Sequence, residues 1–188
     1  MLHYLRDYNK YVEITGFRNV KFESAEAFLK ANRKEESQNV GVQFFDAELI
    51  ASWEHLYFAV LNALQAFKNK TNLSKTAAME TMLYASAQRQ IEKAIQQCGI
   101  KPETTTMAVT LIGENPTQLK DMLESITRSV GAEPDEHVLE LSSVKENRIK
   151  GAFQISDGEI KTVLKNENGK EALINLVVER VALLATQL

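Results

Sequence analysis

The sequence predicts a mixed α/β fold: one domain with a small central sheet packed by several helices. The chain has 188 residues, of which 44% are hydrophobic, and this is enough for one ordinary core. Segments with alternating or β-branched apolar residues are interleaved with segments whose apolar residues recur with helical spacing. Because no internal repeat divides the chain, we expect residues 1–188 to form a single domain.

The first part of the chain predicts two strands and one helix. Residues 11–20 alternate apolar and polar side chains, which is consistent with a strand or a hairpin. Ser24 can cap a short helix that ends near residue 31, and a polar loop follows over 32–39. Residues 40–45 alternate again and predict a strand.

Three helices are predicted next. Ser52 can cap a long helix. Its apolar residues, which recur with helical spacing, are Trp53, Leu56, Tyr57, Val60, Leu61, Leu64 and Phe67. After a polar loop over 68–73, Ser74 opens a helix that is interrupted at Ser86, and a further helix runs on to Cys98, where a glycine and then a proline end it.

A buried strand and a capped helix are predicted after residue 104. Residues 105–112 are rich in β-branched side chains, as buried strands are. Asn115 followed by Pro116 is typical of a helix start, and the helix they open ends at Gly131.

The last quarter of the chain predicts a short strand and three helical segments. Residues 137–141 alternate as a strand, and Ser143 with Glu146 matches a capping box for a helix to about residue 155. A short helical piece over 160–164 and a turn over 166–169 follow. The last helix has an apolar side made of Leu173, Leu176, Val177, Val181, Leu184 and Leu188. A side this wide is either buried in the domain or shared with a partner protein.

Composition excludes several classes of protein. The net charge is −3, so the whole chain has no general attraction for nucleic acid. The one cysteine, Cys98, cannot form an internal disulfide or a cysteine-rich zinc site, and we expect a buried, unreactive thiol. The chain has no signal-peptide pattern and no apolar run near the roughly 20 residues that cross a bilayer. We therefore expect a soluble, cytoplasmic protein that does not contact membranes.

The sequence has no evident catalytic motif. His3, His55 and His137 are too scattered for a metal-ligand pattern, and we expect no cofactor. A nucleophile elbow and the glycine-rich phosphate loops are missing from the sequence. His55, near the start of the long helix, is expected to serve in packing, with a polar contact to a partner as the alternative.

The most informative segment is the polar break at residues 84–91, between two helices. It offers serine, glutamine and arginine side chains as hydrogen-bond donors. Residues 68–101 contain six Lys and Arg against two Glu, so this region carries +4 and the rest of the chain −7. Such a region can meet phosphates, while glutamine and serine can contact ribose or base edges. The alternative is an ordinary solvated helical face.

Residues 86–91, followed by Ala94, Ile95 and Gly99, resemble the signature S-G-x-R-Q-I-x-x-A-I-x-x-x-G of the TPRKB family, and in particular its archaeal members. The resemblance covers most of residues 44–188. Ala87 departs from the signature, which has glycine at that position.

The resemblance implies a non-enzymatic accessory subunit of the KEOPS complex, which makes threonylcarbamoyladenosine in tRNA. Members of this family bind the small Bud-type atypical kinase/ATPase and support its activity, so they act indirectly on the threonylcarbamoyl-transferase subunit. Archaeal members also hold the 3′ CCA end of tRNA. Together with the basic region, the resemblance predicts RNA-binding residues Ser86, Gln88, Arg89, Gln90, Ile91, Lys75, Lys93 and His55. By the same resemblance, the last helix contacts the kinase through Leu176, Val177, Arg180, Val181 and Leu184.

Two other hypotheses remain open at this stage. The first is a pure protein–protein adaptor that regulates the kinase without touching RNA, in which case the polar break serves only packing or kinase contact. The second is a small-molecule enzyme of the α/β class.

Overall fold

Four antiparallel strands form the sheet of the computed structural model, in the order β1-β2-β4-β3. The strands are β1 (Leu2–Leu5), β2 (Lys10–Arg18), β3 (Val40–Asp46) and β4 (Thr106–Gly113). The residues described are 1–33, 39–164 and 168–187. Most of the loop predicted over 32–39, part of the turn predicted over 166–169, and Leu188 therefore lie outside the described residues.

Eight helices surround this sheet in the described ranges. They are α1 (Ala25–Arg33), α2 (Trp53–Asn69), α3 (Ala77–Ser86), α4 (Ile91–Cys98), α5 (Pro116–Val130), α6 (Ser143–Phe153), α7 (Asp157–Val163) and α8 (Gly169–Leu184). The predicted mixed α/β fold with a small sheet packed by helices is confirmed.

The sheet separates two apolar layers because successive strand residues point to opposite faces. On one face, Ile14, Phe45 and Ala108 pack with apolar side chains of α2, α3, α4 and α8. On the other face, Val109 and Leu111 pack with α1 and α5. β4 lies between β2 and β3 and is buried along nearly its whole length, which explains its run of apolar and β-branched residues.

A third apolar cluster joins α6 to α8. Ile149 and Phe153 of α6 pack against Leu173 and Val177 of α8. α8 therefore packs on α2 and α3 along one side and on α6 along another, and this explains the width of its apolar surface. None of the helices in the described ranges combines the length and the apolar character needed to cross a membrane.

The strand predicted over 137–141 is wrong, because residues Glu136–Leu139 form a short 3₁₀ helix. Asp135 precedes this helix and caps it, since its carboxylate accepts a hydrogen bond from the His137 amide at 3.0 Å. Val138 and Leu139 are both buried, although they are consecutive, and a two-residue alternation cannot place both inside. The sequence also gave no sign of β1, which has only four residues and an exposed, partly apolar face.

Two helix starts differ from those predicted. Thr76, not Ser74, caps α3, because Ser74 is held by the buried carboxylate of Glu80, with both its amide and its hydroxyl 2.7 Å from Oε2. Ser142, not Ser143, caps α6, so the predicted capping box with Glu146 does not form. Ser52 caps α2 as predicted, since its hydroxyl accepts a hydrogen bond from the His55 amide.

Candidate functional site

The polar break lies between the end of α3 and the start of α4, and we call residues 86–91 the α3–α4 junction. Ala87 ends α3 in the left-handed conformation, with φ 50° and ψ 37°. The amides of Ala87 and Gln88 donate to the carbonyls of Tyr84 and Leu83, each at 3.0 Å, and close the helix end. Glycine adopts this conformation at less cost than alanine, which accounts for the glycine that the TPRKB signature has here.

The inner side of the junction is held by buried hydrogen bonds. Ser86 is 1% exposed, and its hydroxyl shares its one proton between the carbonyls of Met82 at 2.8 Å and Leu83 at 3.1 Å. Gln97 of α4 donates to the Ser86 carbonyl and accepts from the Gln88 side chain, each at 3.1 Å. Ser86 therefore shapes the junction from inside, with its hydroxyl satisfied by carbonyls of its own helix.

His55 is completely buried beneath the same junction. Its Nδ1 accepts a hydrogen bond from the Ala51 amide at 3.2 Å, so Nε2 carries the proton and donates to the Ala85 carbonyl at 2.7 Å. Burial lowers the pKa of His55 from its ordinary 6.5 to about 4. The predicted packing role fits this geometry, and direct contact between His55 and RNA does not.

The outer side of the junction presents a short polar strip. Arg89, Gln90, Ile91 and Lys93 are all exposed, and the side chain of Ile91 is 41% exposed. Gln90 precedes the first residue of α4 but its side chain does not cap the backbone amides there. Four of the predicted RNA-binding residues are therefore exposed within one short segment, residues 89–93, which also contains the exposed Glu92.

Lys75 lies apart from this strip. It precedes α3, whereas the strip follows it, and the ten residues of α3 separate them by about 15 Å along the helix axis. Lys75 is exposed, but the structure does not bring it to the junction.

A cavity opens beside the junction. Gln88 lines it together with Phe153 and Gln154 at the end of α6 and Arg180 of α8. Gln154 has a left-handed backbone with φ 53°, which ends α6 and turns the chain at the cavity. Sequence patterns could not place Phe153 and Gln154 here, because only the packing of α6 on α8 brings them to the junction.

Arg180, predicted as a kinase contact, belongs to this cavity. Its guanidinium pairs with the Glu159 carboxylate of α7. Hydrogen bonds from Ser156 and Arg180 lower the pKa of Glu159 to about 2, and Ser156 and Glu159 form the capping box of α7. A permanent positive charge therefore lies at the cavity, held by a carboxylate that stays ionised at neutral pH.

The other predicted kinase contacts are inside the domain. Leu176, Val177, Val181 and Leu184 are each at most 4% exposed and pack against residues of this same chain. The prediction that these side chains form a partner surface therefore needs correction, because the wide apolar side of α8 is covered by α2, α3 and α6. Cys98 is buried as predicted, and burial raises its pKa to about 12.

The low pKa of His55 predicts a specific pH dependence of stability. Below pH 6.5 the unfolded chain takes up a proton on this ring, while the folded chain does not until about pH 4. The contribution of His55 to the free energy of unfolding is therefore complete above pH 6.5 and falls by about 3 kcal/mol as the pH drops to about 4. Urea unfolding across this range measures it. The same slope in the His55→Gln variant would show that another group is responsible.

Comparison with known proteins identifies the family of this chain. The family model of "Kinase binding protein CGI-121" matches residues 17–185. The chain is also similar to "Regulatory protein Cgi121" of Methanocaldococcus jannaschii, with 31% identity over 148 residues, which cover 78% of this chain and 86% of that protein. The match includes the α3–α4 junction and the helices that support it. This chain belongs to the CGI-121 family of kinase-binding proteins.

Proposed function

We propose that this protein is a non-catalytic, cytoplasmic subunit of the KEOPS complex, in which it binds the Bud-type kinase/ATPase, supports its activity and holds the 3′ CCA end of tRNA. The kinase part follows from the family and from a relative that is named as a regulatory protein. The tRNA part is supported by the exposed strip Arg89–Lys93. This strip is the observation on which the proposal depends.

The strip has the chemistry that a single-stranded RNA end requires. Arg89 and Lys93 can neutralise phosphates, and Gln90 can donate to or accept from base and ribose edges. Ile91, the first residue of α4, is 41% exposed and offers an apolar surface to the face of an unpaired base. Single-stranded ends are readable because their base edges and faces are not already paired or stacked.

The cavity beside the strip extends this surface. Gln88 and Gln154 line it and Arg180 brings a further cation. The side chains of Arg180 and Glu159 are 27% and 38% exposed, so an RNA phosphate can reach the guanidinium and compete with the carboxylate for it. We therefore include Gln88, Gln154 and Arg180 in the proposed RNA site, with Ser86 and His55 as residues that position it.

The kinase-contact residues predicted on α8 are largely buried, so we place the proposed kinase contact at exposed apolar side chains of α2 and α8. α2 and α8 pack against each other, and they expose Phe58 and Leu183, each 40% accessible. Exposed large apolar residues on adjoining helices can join into an apolar patch of the kind that forms protein interfaces. We propose that these two side chains contribute to the kinase contact.

A second candidate function is a protein adaptor without RNA contact. Ile91 and Ile95 lie one turn apart on α4 and are 41% and 40% exposed. Such a pair also fits a protein partner. Binding of the kinase without binding of tRNA at moderate salt would favour this candidate.

Reversing the charge of Arg89 tests the RNA site. We expect Arg89→Glu to weaken tRNA binding about tenfold or more, because a phosphate contact becomes a repulsion. Removing the CCA end from the tRNA should weaken binding by the wild-type protein to a similar degree. Electrophoretic mobility shift at several salt concentrations measures both effects.

The matched control is Lys120→Glu, an exposed lysine on α5 at the other face of the sheet. It makes the same charge change and should leave tRNA affinity nearly unchanged. Equal binding by the wild type and Arg89→Glu, or equal losses in Arg89→Glu and Lys120→Glu, would remove the RNA site from the proposal.

Introducing a charge at Phe58 or Leu183 tests the kinase contact. Each of Phe58→Asp and Leu183→Asp should weaken binding of the purified kinase at least about tenfold, since a buried apolar contact is replaced by a desolvated carboxylate. Both variants should still bind tRNA. Val144→Asp, at a 66% exposed valine on α6, is the control and should bind the kinase normally. Wild-type affinity in both test variants would place the kinase contact elsewhere.

A further inference from the structure

A second cavity, of about 480 Å³, lies beside the start of α2, and none of its lining residues belongs to the cavity at the α3–α4 junction. Trp53 at the start of α2, the buried side chains of Ile14 and Leu139, and Pro134 give it apolar walls. Its volume is within the range of pockets that bind ligands or side chains. Nothing in the proposed function uses this cavity.

The indole of Trp53 is held in a fixed position. The His3 ring stacks on it with centroids 5.4 Å apart and planes 6° apart, and Tyr57 meets it edge-on at 5.7 Å. An aromatic wall that is fixed in this way loses little conformational freedom when a ligand binds. Tryptophan is also the aromatic side chain that attracts cations most strongly.

The 3₁₀ helix Glu136–Leu139 forms the opposite wall and is seated firmly on β2. The Asp135 amide donates to the Gly16 carbonyl at 2.7 Å, and a Cβ on Gly16 would collide with Val138. Gly16 is thus required for this close approach. The buried ammonium of Lys145 donates to the Val138 carbonyl from behind the wall.

Three carboxylates line the cavity. Asp135 pairs with Arg18 at 2.8 Å, and Glu136 pairs with the Met1 amine at 2.6 Å. Glu140 pairs with His137 at 2.8 Å, and this ring carries a charge only when protonated. Glu140 and Asp135 raise the pKa of His137. Above that pKa, and within the residues that the structure describes, Glu140 faces a neutral ring, whereas Asp135 and Glu136 face cations.

We propose that this cavity is a second binding site, which takes an arginine side chain from a basic segment of a partner protein. A guanidinium can stack on the face of Trp53 while its donors reach Glu140. The aliphatic part of the arginine would lie against the exposed Pro134, so that apolar and charged groups of one side chain both find partners. Because Asp135 and Glu136 already pair with cations, it is Glu140 that favours a basic segment over an acidic one.

Trp53 makes the site measurable, since it is the one tryptophan of the chain. Titration with the peptide acetyl-Gly-Ser-Arg-Ser-Gly-amide at pH above neutrality and low salt should change the tryptophan emission in a saturable way at millimolar peptide. The matched peptide with glutamine in place of arginine should leave the emission unchanged. Glu140→Gln should raise the dissociation constant about threefold, as expected for an exposed ion pair.

Glu124→Gln, an exposed carboxylate on α5, is the control and should bind the peptide like the wild type. Thermal unfolding of Glu140→Gln checks that the fold is intact, since Glu140 is exposed and its pair with His137 lies at the surface. The proposal is overturned if the arginine peptide gives no saturable change, if the glutamine peptide gives the same change, or if Glu140→Gln and Glu124→Gln lose affinity equally.

Discussion

The buried imidazole of His55 is the interaction on which the shape of the candidate site depends. It accepts a hydrogen bond from the Ala51 amide before α2 and donates one to the Ala85 carbonyl in the last turn of α3. An unpaired polar group at this depth would cost about 1–3 kcal/mol, so both bonds constrain where α3 can end. The α3–α4 junction begins at the next residue, so these two hydrogen bonds also determine where the junction lies.

This arrangement divides the TPRKB-like signature into two parts with different physical tasks. Ser86 faces inward and is satisfied by helix carbonyls, while Gln97 bonds the junction from α4. The residues that follow, from Arg89 to Lys93, face outward. A signature of polar residues therefore need not be a list of ligand contacts, because some of them hold the backbone in the conformation that presents the others.

The sequence predicted the α/β fold, three of the four strands and the junction itself, because these depend on local periodicity and capping. It could not tell that Val177 and Val181 are covered by other helices, since an apolar helical side is the same in sequence whether its own domain or a partner covers it. Gln154 reaches the site only through tertiary packing. The pattern of residues 137–141 is too short to distinguish a strand from the 3₁₀ helix that forms over 136–139.

The central claim is that the outward part of the junction contacts the 3′ end of tRNA. Photocrosslinking with a tRNA that carries azidoadenosine as its terminal nucleotide, followed by peptide mass spectrometry, tests this contact directly. We expect crosslinks within residues 86–93 and at 152–154, and their loss when unmodified tRNA is added in excess. Crosslinks confined to α5 or to the cavity around Trp53, with residues 86–93 unlabelled, would contradict the account.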